Sequence, residues 1–80
     1  MVKRGQEVME KINISSEYIT LGQFLKFVGI IDCGSYAKQF LIENEVLINN
    51  VQDQRRGRKI YPGDVVVVLN KRYEVDRIVS

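Results

Sequence analysis

The sequence predicts an α+β domain in which two helices pack against a small, curled, mostly antiparallel sheet. Three observations carry this. Apolar residues recur at helical spacing from Leu21 to Val28 and again from Ala37 to Leu41. After Asn44 the spacing changes to the two-residue period of strands. Turn-forming residues then divide the second half of the chain at Asn49-Asn50, Pro62-Gly63-Asp64 and Asn70-Lys71.

Residues 1–11 mix Lys3, Arg4, Glu7, Glu10 and Lys11 with few apolar side chains and read as a flexible leader, which leaves 12–80 as a single domain. From Lys11, the stretch KINIS alternates Ile12 and Ile14 on one face and reads as a short strand. Thr20 and Gln23 form a T-x-x-Q capping box, and Ile19 can staple onto Phe24, so a helix starts here. Leu21, Phe24, Leu25 and Val28 give it one apolar stripe, and Gly29 ends it. Lys26 lies off the stripe.

A second helix is expected over SYAKQFLIEN, starting near Ser35 or Cys33-Gly34. Ala37, Phe40 and Leu41 face inward and Lys38 and Gln39 outward, with Asn44 taking the left-handed conformation that stops it. The stretch EVLINNVQ is a strand that turns at Asn49-Asn50, a dipeptide tolerant of positive φ. VVVVL and RYEVDRIV complete the set of three or four short strands. Phe24, Phe27 and Phe40 read as core or near-core, Tyr61 and Tyr73 as sheet residues, Cys33 as a small structural residue and Asp64 as part of its turn.

Eighty residues leave room for one modest core. The apolar fraction of 45% and charged fraction of 28% are those of a soluble globular domain. No apolar run reaches the ~20 residues of a membrane span, and the start lacks the apolar centre of a secretory signal, so a cytoplasmic location is expected. A single cysteine closes no disulfide within the chain. With no histidine, the usual zinc ligands, general base and nucleophile pairings are missing, so neither a metal, a cofactor nor an enzymatic activity is expected.

The stretch QDQRRGRKIYPGD is the most charged part of a chain whose net charge is only +2. Arg55, Arg56, Arg58 and Lys59 surround Gly57, which would let the backbone approach a ligand or turn sharply. Such a run is ordinarily a solvated loop, yet guanidinium forks also suit phosphate oxygens. Asp53, Glu43 and Glu45 do not interrupt the run itself.

The run TLGQFLKFVGIIDCGSYAKQFLIENEVLINN…YPGDVVVV resembles the S-four type RNA-binding domain, also called the alpha-L motif, over about residues 19–69. Leu21 and Leu25 stand in the first helix of that pattern, and Ala37, Phe40 and Leu41 in the second. Asn44 replaces a glycine before Val46-Leu47-Ile48-Asn49-Asn50, and Gly63-Asp64 precede the closing strand. The small stand-alone members, the YaaA-like and YbcJ-like proteins, are the most similar. The resemblance implies a non-catalytic protein that binds structured RNA, such as ribosomal RNA or a ribosomal subunit, in ribosome assembly or translation. It implies neither a membrane nor a small-molecule substrate, and a monomer is expected.

Many members carry arginines before the first helix and at the start of the second, where this chain has Thr20 and Cys33-Gly34. Those contacts do not carry over. The candidate RNA-binding residues are therefore Lys26, Gly34, Ser35, Tyr36, Lys38, Arg55, Arg56, Arg58 and Lys59. Gly34 could let a phosphate approach a helix N-terminus, and Tyr36 fits either base stacking or plain surface exposure. Lys71 and Arg72 form a smaller basic spot. Four neutralised phosphates would give a slope of log K against log salt of roughly −3 to −4. Charge reversal at Arg55, Arg56 and Arg58 would then abolish RNA binding and leave the fold intact. A protein-interaction adaptor with a basic face, or a ribosome quality-control factor contacting ribosomal RNA and tRNA, are the competing readings.

Overall fold

The computed structural model describes residues 8–78. Its order is β1 (Val8–Ile14), β2 (Ile19–Thr20), α1 (Leu21–Phe27), a 3-10 turn (Gly34–Tyr36), α2 (Ala37–Glu43), β3 (Val46–Ile48), β4 (Val51–Gln52), β5 (Lys59–Ile60), β6 (Val65–Val68) and β7 (Lys71–Arg77). The fold is α+β, with an open five-stranded sheet in the order β1-β7-β6-β3-β4 and a separate two-stranded ribbon of β2 and β5.

The sheet is antiparallel except where β1 runs parallel to β7, from Val8↔Lys71 to Ile14↔Arg77. This ladder corrects the leader expected over residues 1–11: residues 8–11 belong to a strand, and residues 1–7 lie outside the described part. The sequence shows no apolar alternation before Ile12 because the strand's start is held by backbone pairing with β7. Met9, Glu10 and Lys11 are all exposed.

The core joins Leu21, Phe24 and Leu25 of α1, Ala37 and Leu41 of α2, and Val46, Ile48, Ile60, Val66, Val68, Tyr73 and Val75 of the strands. Burying each large aliphatic side chain contributes about 1.5–3 kcal/mol. Phe24 meets Tyr73 edge-on at 5.2 Å, which ties α1 to the sheet. In β6 Val66 and Val68 are buried while Val65 and Val67 are half-buried, the alternation of a strand with one face on the core. Phe27 departs from expectation. It sits at the edge of the apolar stripe and is 56% exposed.

Local signals set the helix ends. The Thr20 hydroxyl accepts from Gln23 N at 3.2 Å and the Gln23 side chain accepts from Thr20 N at 3.0 Å, completing the capping box. At the other end Gly29 adopts φ +84°, Gly29 N donates to Lys26 O and Ile30 N to Leu25 O, the paired bonds of a Schellman stop. Helix α2 ends differently from the expectation for Asn44. That residue is extended (φ −133°, ψ 143°), since the chain passes directly into β3, and its side-chain amide donates to Phe40 O at 3.1 Å.

Asn49 and Asn50 both have positive φ, 54° and 71°, and join β3 to β4 by a two-residue turn. The Asn49 side chain also bridges strands, donating to Asp64 Oδ1 and accepting from Val65 N. The turn expected at Asn70-Lys71 falls one residue earlier. Because Val68 pairs with Lys71, the loop residues are Leu69 (φ 52°) and Asn70 (φ 63°). A leucine in the left-handed region is strained, and Leu69 is 53% exposed, so it gains little by burial in return. Leu69→Asn should therefore stabilise the protein by about 0.5–1 kcal/mol, read as a higher urea midpoint at unchanged m-value.

Candidate nucleic-acid interface

The basic loop is organised by an aspartate. Asp53 is the one polar or charged residue buried among those described, at 8% exposure. Its Oδ1 accepts from Arg55 N at 2.8 Å and Arg55 Nε at 3.1 Å, and its Oδ2 from Arg55 Nη2 at 2.8 Å and Arg58 Nη1 at 2.9 Å. The Arg55 side-chain hydrogen bonds, aided by Arg55 N–H and Arg58 and opposed by burial, hold the Asp53 carboxyl well below the usual carboxylate range. Asp53 does not break the sequence of cations. It nonetheless ties two of them, and four cations less one carboxylate leave the loop a net +3.

This changes the expected effect of reversing Arg55 and Arg58. Glutamates there would gather three carboxylates around a buried site, so such a variant reports on folding as well as on binding. Gly57 lies in a turn closed by Arg58 N donating to Arg55 O at 3.1 Å. It does not have positive φ, and a Cβ there would meet open space, so the turn does not require glycine.

The loop's backbone caps α1. Leu21 N donates to Arg58 O at 2.8 Å and Gly22 N to Arg56 O at 2.9 Å, while Thr20 takes Gln23 N. The first three N–H groups of the helix are thus satisfied, two of them by loop carbonyls. Gly22 lies close to the loop: a Cβ placed on it would sit 3.4 Å from Arg56 O and 3.5 Å from both Arg56 Cβ and Ala37 Cβ, ordinary contact distances that do not demand glycine. Gln54 Nε2 donates to Leu41 O at 3.1 Å, which fastens the loop to α2 as well. The loop therefore folds towards the helices.

Arg55 and Arg56 are exposed, Arg58 is partly exposed, and Lys59 lies on β5 with its ammonium 4.9 Å above the Tyr18 ring. Lys38 is exposed on α2. Among the described residues neither Arg56 nor Lys38 forms an ion pair. Gly34, Ser35 and Tyr36 form the exposed 3-10 turn before α2. There the Ser35 Oγ lies 3.0 Å from Cys33 Sγ and shifts that exposed thiol below its ordinary value. Lys26 lines an open groove of about 690 Å³ together with Asn13, Ser16, Gln23, Phe27 and Ile78, which none of the loop cations lines, and its charge also acts on the Cys33 thiol beside the 3-10 turn.

Sequence reasoning missed Asp53 as the organiser and Tyr18 as a neighbour of Lys59. The D-x-R-x-x-R spacing of Asp53, Arg55 and Arg58 was visible, but the same spacing occurs in solvated loops. Burial makes the difference. Tyr18 came within reach only through the pairing of Ile19 with Ile60.

Three comparisons bear on identity. No solved structure matches the chain. The Bacillus subtilis (strain 168) protein named "Probable ribosome maturation protein RlbA" is 58% identical over 57 residues, 71% of this chain and 80% of that protein. The family model of the S4 domain matches residues 12–76, from the middle of β1 almost to the end of β7, and the chain belongs to the S4 domain family.

Proposed function

We infer that the protein is a non-catalytic RNA-binding domain that holds structured RNA, ribosomal RNA or a ribosomal subunit, by its phosphates during ribosome maturation in the cytoplasm. The observation that carries this reading is the arginine loop: Arg55, Arg56, Arg58 and Lys59 are presented by a backbone hydrogen-bonded to α1 and α2, not by a free coil. Arg55 and Arg58, already held by Asp53, lose little freedom on meeting phosphate. The family and the printed name of the Bacillus relative support the same direction.

On this reading α1 and α2 act as one packed pair, with Gly22 against Ala37 and the loop seated beside them, and the protein works as a monomer. Lys38, Gly34, Ser35 and Tyr36 extend the face along α2, and Lys26 marks its far side. The loop's net +3 corresponds to a salt slope of roughly −3. Binding of ribosomal RNA fragments should weaken by that slope between low and physiological salt. In cell extracts, the protein should co-sediment with ribosomal particles and be released by nuclease or high salt. A salt-independent association with a protein partner that survives nuclease would replace this reading with that of an adaptor.

A further inference from the structure

We propose that the outer face of the β2–β5 ribbon is a stacking site for one unpaired nucleotide, with Tyr61 as the stacking ring, Tyr18 as its support and Lys59 as the adjoining cation. This rests on the RNA-binding reading and specifies what kind of RNA that surface takes.

The ribbon pairs Ile19 with Ile60 and Thr20 with Lys59. Side chains alternate across a strand, so Ile19 and Ile60 enter the core while the residues on either side point outward. The same antiparallel register brings Tyr18 opposite Tyr61, their ring centroids 5.6 Å apart and tilted by 48°. Lys59 stands on the same face, with Nζ 4.9 Å over the Tyr18 ring. One short ribbon thus shows water two aromatic rings and an ammonium group.

Tyr61 is 47% exposed although its backbone is held on both sides. Tyr61 N donates to Asp64 Oδ2 at 2.8 Å, and Asp64 N donates to Tyr61 O at 2.9 Å. A ring with a pinned backbone, two side-chain torsions and a neighbouring ring to lean on loses little entropy when a base stacks on it. The ribbon also continues directly from the arginine loop: Arg58 Nε donates to Lys59 O at 3.2 Å. Tyr61 follows Arg58 by three residues, which places it within roughly 10 Å along an extended chain.

A paired base offers no face to such a ring, and the major groove of A-form RNA is too deep and narrow for side chains to read. The geometry fits a loop, bulge or end in which a base leaves the helix beside phosphates held by the arginines. A cross-strand aromatic pair can also serve only to steady a ribbon. The two roles differ in what RNA reports.

The test uses the full chain and two synthetic RNA hairpins with the same stem, one fully paired and one carrying a single bulged 2-aminopurine. Wild type should bind the bulged hairpin on the order of tenfold more tightly and quench its fluorescence. Tyr61→Leu should bind both hairpins equally, with affinity for the paired one unchanged. Tyr61→Phe should keep both preference and quenching. Circular dichroism checks that the variants fold. Should Tyr61→Leu fail to fold, absence of quenching by wild type still overturns the stacking site. Equal binding of the two hairpins by wild type, or a preference that survives Tyr61→Leu, overturns the stacking site and leaves phosphate binding standing. Failure to bind either hairpin at low salt overturns both.

Discussion

Glutamate at both Arg56 and Lys38 should lower affinity for structured RNA by about 100-fold at physiological salt while leaving the thermal midpoint in place. A charge-assisted hydrogen bond contributes roughly 1.5 kcal/mol or more, so losing two accounts for about two orders of magnitude. The salt slope should also become shallower by about one for each phosphate contact removed. The fold is spared for a structural reason. The packing role of Arg56 belongs to its backbone, whose carbonyl accepts from Gly22 N, and its side chain is exposed and outside the Asp53 ion pairs. Lys38 is exposed on α2. Fluorescence anisotropy at several salt concentrations measures both quantities, and an unchanged affinity with an unchanged slope would sink the assignment of these cations.

Asp53→Asn should act on the fold first, lowering stability by about 2 kcal/mol at pH 7. The carboxylate receives hydrogen bonds from two guanidinium groups and a backbone N–H at a buried position, and a neutral amide cannot accept all of them. The cost stays below the ~3–5 kcal/mol of a fully buried ion pair because both arginines retain contact with water. The pH dependence identifies the group responsible. Asp53 is held below the ordinary aspartate value near 3.9, so the folded state binds its proton less readily than the unfolded state does. Its contribution is fully present above that unfolded value and is lost as pH falls through the depressed folded one. The stability gap between wild type and Asp53→Asn should be constant from about pH 5 to 8 and shrink steadily below about pH 4. Urea unfolding across this range checks it. A gap absent at pH 7, or one that widens in acid, would show that Asp53 does not organise the loop.

These two variants separate roles that look alike in sequence. Arg55, Arg56, Arg58 and Lys59 form one run of charge, yet the structure divides them: Arg55 and Arg58 hold the loop through Asp53, Arg56 caps α1 through its carbonyl, and Lys59 sits over the Tyr18 ring. Reversing the three arginines together would mix loss of fold with loss of binding.

The elements readable in the sequence are those whose cause lies within a few residues. Thr20 and Gln23 cap a helix by bonds three residues apart, Gly29 stops it, and Asn49-Asn50 turn a hairpin because both tolerate positive φ. The Asn44 and Leu69 discrepancies share one origin. In each, the neighbouring strand required a particular path, extended at Asn44 and left-handed at Leu69, and pairing outweighed the residue's own preference. The start of β1 was hidden for the same reason, since its partner lies more than sixty residues away.

The sequence by itself determined the capped first helix, the second helix, the Asn49-Asn50 hairpin turn, the basic loop and the family, because each rests on local hydrogen bonding or on residue order. Tertiary structure alone decided that the loop turns towards the helices, that Asp53 is buried between two arginines, and that Tyr18 meets Tyr61. Those outcomes depend on contacts such as Leu21 N to Arg58 O and Gly22 N to Arg56 O, formed between segments distant in the chain. A charge gains its worth from burial and partners, and only the folded chain supplies both.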